Sequence, residues 1–89
     1  MIPVPDAQAA YDRVTHFIAE PGDADLLVAA AAQGGMPQPI MDLGNDIKAS
    51  NDTHAAYVAD PSESNAAAWM AADATLREFI SSHTDLTVA

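Results

Sequence analysis

The chain contains no cysteine and very little positive charge. The absence of cysteine from its 89 residues excludes a disulfide framework and a thiolate metal site. Lysine and arginine number 3 against 13 aspartates and glutamates, which gives a formal net charge of -10. Because such a chain is repelled by nucleic acid and by anionic membranes, we predict direct binding to neither. A basic protein surface would attract it.

Long hydrophobic runs are also missing. The longest apolar run, residues 26–32, is far shorter than the ~20 residues that a membrane-spanning helix needs. The opening residues MIPVP lack the basic start and the hydrophobic stretch of a signal peptide. We therefore expect a cytoplasmic protein. The chain length fits a single domain, residues 1–89.

Apolar residues recur with the period of an α-helix. Val14, Phe17 and Ile18 continue such a stripe on the first predicted helix, and Ile40, Leu43 and Ile47 form one on the third. No segment shows the alternation of a β-strand. We predict an all-α fold, a small bundle of three or four antiparallel helices. Residues 1–5 should be extended because proline disfavours a helical predecessor, and residues 84–89 should fray. The predicted helices cover residues 7–19, residues 24–33, residues 39–59 with a break at 50–53, and residues 65–82.

Cap formers and helix breakers set these boundaries. Asp6 is predicted to cap the first helix, which should end before the Pro21-Gly22 pair. Asp23 is predicted to cap the second helix, which is apolar nearly all round and should be buried. Its alanines would let a neighbouring backbone come close, and Gly34-Gly35 should end it. Ser62 or Ser64 should cap the last helix.

The last helix carries the richest apolar stripe of the chain. Its members lie at helical spacing: Trp69, Ala72, Leu76, Phe79 and Ile80. We expect the other helices to pack against this stripe, with Trp69 as the core anchor. On the same helix, Asp73 and Arg77 stand four residues apart in the favourable acid-before-base order.

One line of polar residues has the spacing of a metal site. Asp12, His16 and Glu20 recur every fourth residue, and carboxylate and imidazole groups bind zinc and similar metals. The simpler interpretation is the solvated face of an acidic amphipathic helix, since a closed site needs further ligands. We predict no metal and no cofactor. No phosphate loop and no nucleophile elbow is present, so we predict that the protein is not an enzyme.

Residues 43–47, LGNDI, resemble the Leu-Gly-x-Asp-Ser-Leu motif of acyl and peptidyl carrier proteins. Those proteins are small, acidic and helical, and their serine holds a prosthetic group. Here Ile47 stands at the serine position, and the nearest serine, Ser50, lies three residues later. The resemblance therefore implies the size and fold class of a carrier without its attachment residue.

The acidic residues cluster at particular places, which suggests a binding function. Glu20, Asp23 and Asp25 gather at the first connection, and Asp42 and Asp46 lie four apart on the third helix. We predict a non-enzymatic helical interaction protein that binds a larger protein with a basic surface and occludes or regulates it, like a phage-type inhibitor or an immunity or antitoxin protein. The predicted apolar anchors of this interaction are Tyr11, Met41 and Tyr57.

The alternative is a self-assembling structural subunit, such as a phage head–tail connector or a small homo-oligomer. In that reading Leu26, Leu27 and Val28 would form the interface of the second helix. The acidic surface could also mimic nucleic acid, or could serve only to keep an alanine-rich protein soluble. A carrier protein or a small enzyme fits the sequence less well.

Overall fold

The computed structural model describes residues 1–83, which form four helices and contain no strand. Helix α1 spans Val4–Thr15, α2 spans Asp23–Gln33, α3 spans Gln38–Ala59 and α4 spans Glu63–His83. The prediction of a small all-α bundle is confirmed. Within the described part, no helix combines the length and the apolar character needed to cross a bilayer. The predicted fraying concerns residues 84–89, which lie outside the described residues.

Helix α3 is the central element, because it packs against both α2 and α4, while α1 packs mainly on α2. The predicted stripe on α3, formed by Ile40, Leu43 and Ile47, is buried as expected. Small and aliphatic side chains from α1, α2, α3 and the α2–α3 connection complete the core, which consists of Ala7, Ala10, Leu27, Ala30, Met36, Ile40, Leu43 and Ile47.

The backbones of α2 and α3 cross closely at Gly44. A Cβ atom added there would lie 2.3 Å from the carbonyl oxygen of Leu27 and 2.7 Å from the Cβ of Ala31. No side chain fits in this gap, so glycine is required despite its low helix propensity. The predicted close approach at the alanines of α2 is confirmed.

The first half of α3 contributes buried residues to the core, whereas its second half contributes none. From Lys48 onward no residue of α3 is buried, and none of residues 63–82 of α4 is buried either. This outer part of the α3–α4 hairpin is held by the ring of Trp69, which packs on His54 and Tyr57 at centroid distances of 4.5 and 5.6 Å. Asn65 adds a side-chain hydrogen bond to the carbonyl oxygen of Asp60 (2.9 Å).

The predicted role of α4 as the organising helix is therefore wrong. Its apolar stripe does face the protein, and Leu76, Phe79 and Ile80 pack against the core. Trp69, however, is only half-buried, on the outer part of the hairpin. The interior is already filled by α1, α2 and α3, so the largest side chains of α4 cover the core from outside.

Helix α1 differs from the prediction at both ends. It begins at Val4, because Pro5 lies in the first turn, where no backbone donor is needed. Asp6 is consequently inside the helix and does not cap it. At the other end α1 stops at Thr15, four residues early, because Phe17 adopts a left-handed conformation with φ 61°. Phe17 and Ile18, placed on the apolar stripe by their spacing, are exposed instead.

The predicted break at residues 50–53 does not occur, and α3 continues through it. Polar side chains there bond within the helix, which removes the need for a cap. The hydroxyl of Thr53 donates to the carbonyl oxygen of Ala49 (2.7 Å), and Lys48 pairs with Asp52 one turn later. The contacts with α4 then hold the segment as one helix of 22 residues.

The ends of α2 and α4 follow the sequence more closely. Gly34, with φ 82°, ends α2 as predicted, and the hydroxyl of Ser62 accepts a hydrogen bond from the N–H of Asn65 (3.2 Å) as the N-cap of α4. Asp23 is not the cap of α2, because Gly22 holds that position in a left-handed conformation. The expectation that α2 is buried all round is also wrong, since Ala29 and Ala32 on its outer face are exposed.

Candidate interaction surface

Every lysine and arginine of the chain is already bound by a carboxylate of the same chain. The three ion pairs are Arg13–Asp23, Lys48–Asp52 and Arg77–Asp73, the last as predicted from its spacing. Of the twelve acidic residues within 1–83, three are used in this way and nine have no lysine or arginine partner. These nine are Asp6, Asp12, Glu20, Asp25, Asp42, Asp46, Asp60, Glu63 and Glu78.

The most buried of these ion pairs closes the turn between α1 and α2, residues 16–22. Arg13 donates from Nε to Oδ2 of Asp23 (2.9 Å) and from Nη2 to Oδ1 (2.8 Å), a bidentate geometry. The backbone N–H of Glu20 also donates to Oδ2 of Asp23 (2.8 Å). The hydrogen bonds from Arg13 and then from Glu20 lower the pKa of Asp23 to about 2.

Asp23 consequently cannot serve as the partner contact that the sequence suggested. Its relative exposure is 4%, and both carboxylate oxygens are engaged inside the chain. The structure gives it another role, which is to fix the course of the α1–α2 turn. The other acidic residues assigned to this turn, Glu20 and Asp25, are exposed.

The turn begins with the hydrogen bonds of a Schellman motif. The N–H of Ile18 donates to the carbonyl oxygen of Arg13 (2.9 Å), and the N–H of Phe17 donates to that of Val14 (3.2 Å). The residue after the C-cap of such a motif is left-handed and is usually glycine. Here that residue is Phe17, the one non-glycine residue with positive φ among residues 1–83.

Phe17 and Ile18 both project into solvent, with relative exposures of 69% and 65%. Exposed acidic side chains lie on each side of them along the chain: Asp12 in the last turn of α1, Glu20 within the turn and Asp25 in the first turn of α2. Arg13, the cation of this region, is bound to Asp23. The turn therefore presents an apolar pair in acidic surroundings.

The second predicted acidic group lies on α3. Asp42 and Asp46 are both half-buried, and Gln38 donates from Nε2 to Oδ1 of Asp42 (2.7 Å). Burial, and then the neighbouring charge of Asp42, raises the pKa of Asp46. These residues remain available to a partner, but Asp46 is a weaker acid than an exposed aspartate.

The three predicted apolar anchors lie on different parts of the fold. Tyr11 on α1 and Met41 at the start of α3 are half-buried and pack against the core. Burial, and then the charge of Asp12, raises the pKa of Tyr11. Tyr57, near the end of α3, packs on the ring of Trp69. Each of them therefore has a packing role inside the protein and offers a partner only part of its side chain.

The arrangement proposed for a metal does not form, because α1 ends before Glu20. Asp12 lies in the last turn of α1 and His16 at its C-cap, while Glu20 lies beyond the left-handed turn. No group of three histidine, aspartate or glutamate residues in the described part could hold a metal ion. At the position where a carrier protein bears its serine, Ile47 is a core residue.

Phe17 and Ile18 are the residues that sequence reasoning missed as a site. Together with Val14 they continue the helical spacing of α1, so the pattern assigned all three residues to the core. The residue needed to reveal the turn, a glycine after the C-cap, is absent. Periodicity therefore gave no signal for the exposed pair.

Comparison with known proteins identifies no relative. A scan against protein-family models matches no family. Neither the search of curated proteins nor the search of solved structures finds a significant match. A function for this chain must therefore be argued from the chemistry of its surface.

Proposed function

We propose that the protein is a small acidic interaction module that binds a larger, basic protein and occludes or regulates it, without catalysing a reaction. The observation that carries this proposal is the pairing of every lysine and arginine inside the chain. With nine carboxylates left over in residues 1–83, the surface offers negative charge without a free side-chain ammonium or guanidinium group. A basic surface is the complement of such a chain.

The charge supports fast and selective encounter more than it supports tight binding. Complementary potentials steer association and reject partners of like charge, whereas each exposed ion pair contributes little affinity. Apolar side chains buried in the interface must supply most of the binding energy. The module thus needs both an acidic surface and an apolar contact.

Inhibitors carried by phages, immunity proteins and antitoxins act by this kind of occlusion, and the present chain has their small size and acidic character. The predicted acidic contacts that remain exposed or half-exposed are Glu20 and Asp25 beside the α1–α2 turn, and Asp42 and Asp46 on α3. Asp23 is left out of the proposal because it is buried in its pair with Arg13.

Two variants with the same net charge test whether the position of these carboxylates matters. The first variant carries Glu20→Gln, Asp25→Asn, Asp42→Asn and Asp46→Asn. The control carries Asp6→Asn, Asp60→Asn, Glu63→Gln and Glu78→Gln, which neutralises four carboxylates elsewhere. Each protein is immobilised and used to capture partners from a bacterial lysate at low and at high salt.

We expect a basic protein to be retained by the parent chain and by the control variant, to be lost from the first variant, and to be released by salt. Equal retention by both variants, or retention that salt does not change, would contradict the proposal. Light scattering tests the competing self-assembling subunit, because a closed oligomer that persists at high salt would favour assembly with itself.

A further inference from the structure

We infer that Phe17 and Ile18 are the apolar anchor of this module, and that they dock into an apolar pocket bordered by lysine or arginine on the partner protein. The inference rests on the proposed function and adds the point of contact to it. Three features of the turn support it: the exposure of the pair, the conformation of Phe17 and the surrounding charge.

Phe17 and Ile18 belong neither to the core nor to the partly buried hydrophobic residues packed against it. Large hydrophobic side chains that are exposed in the structure include Val58 and Met70 on the α3–α4 hairpin, with exposures of 65% and 67%. Those residues stand on regular helices, where one outward-facing apolar side chain is common. Phe17 and Ile18 are consecutive and share one turn, so a single pocket could bury both.

The backbone of Phe17 indicates that its side chain serves a purpose outside the fold. Glycine would meet the left-handed conformation of this position without a steric penalty, and phenylalanine does not. Strained residues persist only where the surrounding structure holds them in place, and they cluster at active sites and ligand-binding sites. A Phe ring, moreover, provides a large apolar contact area with few rotatable bonds.

The turn is also held in place before any partner arrives. Its start is fixed by the Schellman hydrogen bonds of Phe17 and Ile18, and its end by the side chain of Asp23, which binds Arg13 and the N–H of Glu20. Little conformational entropy is then lost when the pair docks, and this pre-organisation favours binding.

The charges around the pair identify the kind of partner. Asp12, Glu20 and Asp25 border the turn, while Arg13 is neutralised by Asp23. A second copy docking through the same turn would bring these carboxylates against their own equivalents, which repel. A pocket bordered by lysine or arginine instead matches both the apolar pair and its acidic surroundings.

The test uses a phage-displayed library of random peptides as the probe. Peptides are selected on the immobilised parent chain after removal of those that bind the bare support. Fluorescein-labelled copies of the selected peptides are then titrated by anisotropy with the parent chain, with Phe17→Gly and with Ile18→Ser. The matched controls are Val58→Ser and Met70→Gln, which remove equally exposed apolar side chains elsewhere. Circular dichroism verifies that each variant is folded.

We expect selected peptides that combine aromatic or branched aliphatic residues with lysine or arginine. Phe17→Gly and Ile18→Ser should each weaken their binding by about tenfold or more, a typical hot-spot effect. The two controls should leave the Kd within about twofold of the parent value. An absence of selected peptides, or controls that weaken binding as much as Phe17→Gly, would overturn the inference.

A further pair of measurements separates this inference from the proposed function. Binding that survives Phe17→Gly but falls with salt and with Glu20→Gln/Asp25→Asn overturns the anchor alone. Binding that requires Phe17 but changes neither with salt nor with those two substitutions would show that the partner site is not basic. That result would overturn the proposed function. A dimer of the parent chain in light scattering that Phe17→Gly abolishes would identify a second copy as the occupant and overturn the inference.

Discussion

Arg13 binds Asp23 through two hydrogen bonds across the α1–α2 turn, with Nε–Oδ2 and Nη2–Oδ1 distances of 2.9 and 2.8 Å. The carboxylate is buried, and its remaining contact is the N–H of Glu20. A buried carboxylate is tolerated only when its oxygens are bonded in this way. The ion pair therefore fixes the path of the chain from α1 to α2.

The Arg13–Asp23 pair predicts a loss of stability in acid. The pKa of Asp23 in the folded protein, about 2, lies below its ordinary value of 3.8. The pair therefore contributes its full stabilisation above about pH 4, and that contribution disappears as the pH falls through 2. Urea denaturation at a series of pH values should show that Asp23→Asn destabilises the protein at neutral pH, with a difference from the parent that shrinks in acid. A difference independent of pH would contradict the assignment.

Asp46 gives the matched control, because the same substitution should act in the opposite direction. Burial and the charge of Asp42 raise the pKa of Asp46, so its ionised form is disfavoured in the folded protein. Asp46→Asn should therefore stabilise the protein at neutral pH. The gain should shrink as the pH falls below the raised pKa of the folded state, and it should vanish below the ordinary value of 3.8. A shift of the urea midpoint in the same direction by Asp23→Asn and Asp46→Asn at neutral pH would contradict the opposite environments of the two carboxylates.

The α2–α3 crossing predicts that Gly44→Ala destabilises the protein by about 2 kcal/mol, as overpacking does. On an exposed helix the same change would be favourable by about 1 kcal/mol. The nearest obstacle is the backbone carbonyl oxygen of Leu27, which no side-chain rotation can move away. Asn45→Ala, at the exposed neighbouring position, should be neutral or slightly stabilising. Chemical denaturation of both variants provides the measurement, and a stable Gly44→Ala would rule out the close crossing.

The left-handed conformation of Phe17 predicts a substitution that improves stability. Phe17→Gly should raise the free energy of unfolding by about 1 kcal/mol, because glycine removes the steric penalty of positive φ. Phe17→Ala keeps that penalty and should change stability little, since the ring is mostly exposed. Thermal and urea unfolding of the two variants distinguish these effects. A destabilised Phe17→Gly would show that the ring is packed in the native protein.

The position of the core predicts that a leucine matters more than the tryptophan. Leu43 is fully buried on α3, so Leu43→Ala should cost about 3 kcal/mol. Trp69 is half-buried on the outer hairpin, and Trp69→Ala should cost about 2 kcal/mol, less than truncation of a buried aromatic residue. Comparison of their denaturation midpoints is the check. The reverse order would restore α4 as the organising helix.

Helical periodicity was sufficient for the fold class and for much of the core. Ile40, Leu43 and Ile47 are buried as their spacing predicts, and the stripe of α4 faces the protein. Periodicity measures which way a side chain points, however, and not how deep it lies. Trp69 points inward from a helix that covers the core, so its large apolar side chain does not mark the centre of the core.

The errors in the helix boundaries have a common physical origin. The local sequence determines which backbone conformations are favourable, whereas tertiary packing can stabilise less favourable ones. Phe17 adopts a left-handed conformation that its residue type disfavours, and α3 continues through residues 50–53 because α4 packs alongside it. Neither outcome is encoded in the residues of the segment alone.

The candidate site likewise combines features that the local sequence predicts with features that depend on tertiary packing. The acidic character of the first connection could be predicted from composition, but the burial of Asp23 could not, because it depends on Arg13 from the preceding helix. The exposure of Phe17 and Ile18 follows from the abrupt end of α1 at Thr15. Sequence therefore indicated the region, and only the fold distinguished its structural residues from its free ones.

The uneven burial of α3 divides its amides into two classes of hydrogen exchange. Amides near Leu43 lie in the core and should exchange only through global unfolding. Those beyond Lys48 belong to the outer part of the α3–α4 hairpin, where none of residues 48–82 is buried. They should exchange through sub-global opening at a lower free energy. One continuous helix would thus belong to two cooperative units, and its outer end could open while the α1–α2 turn keeps its native form.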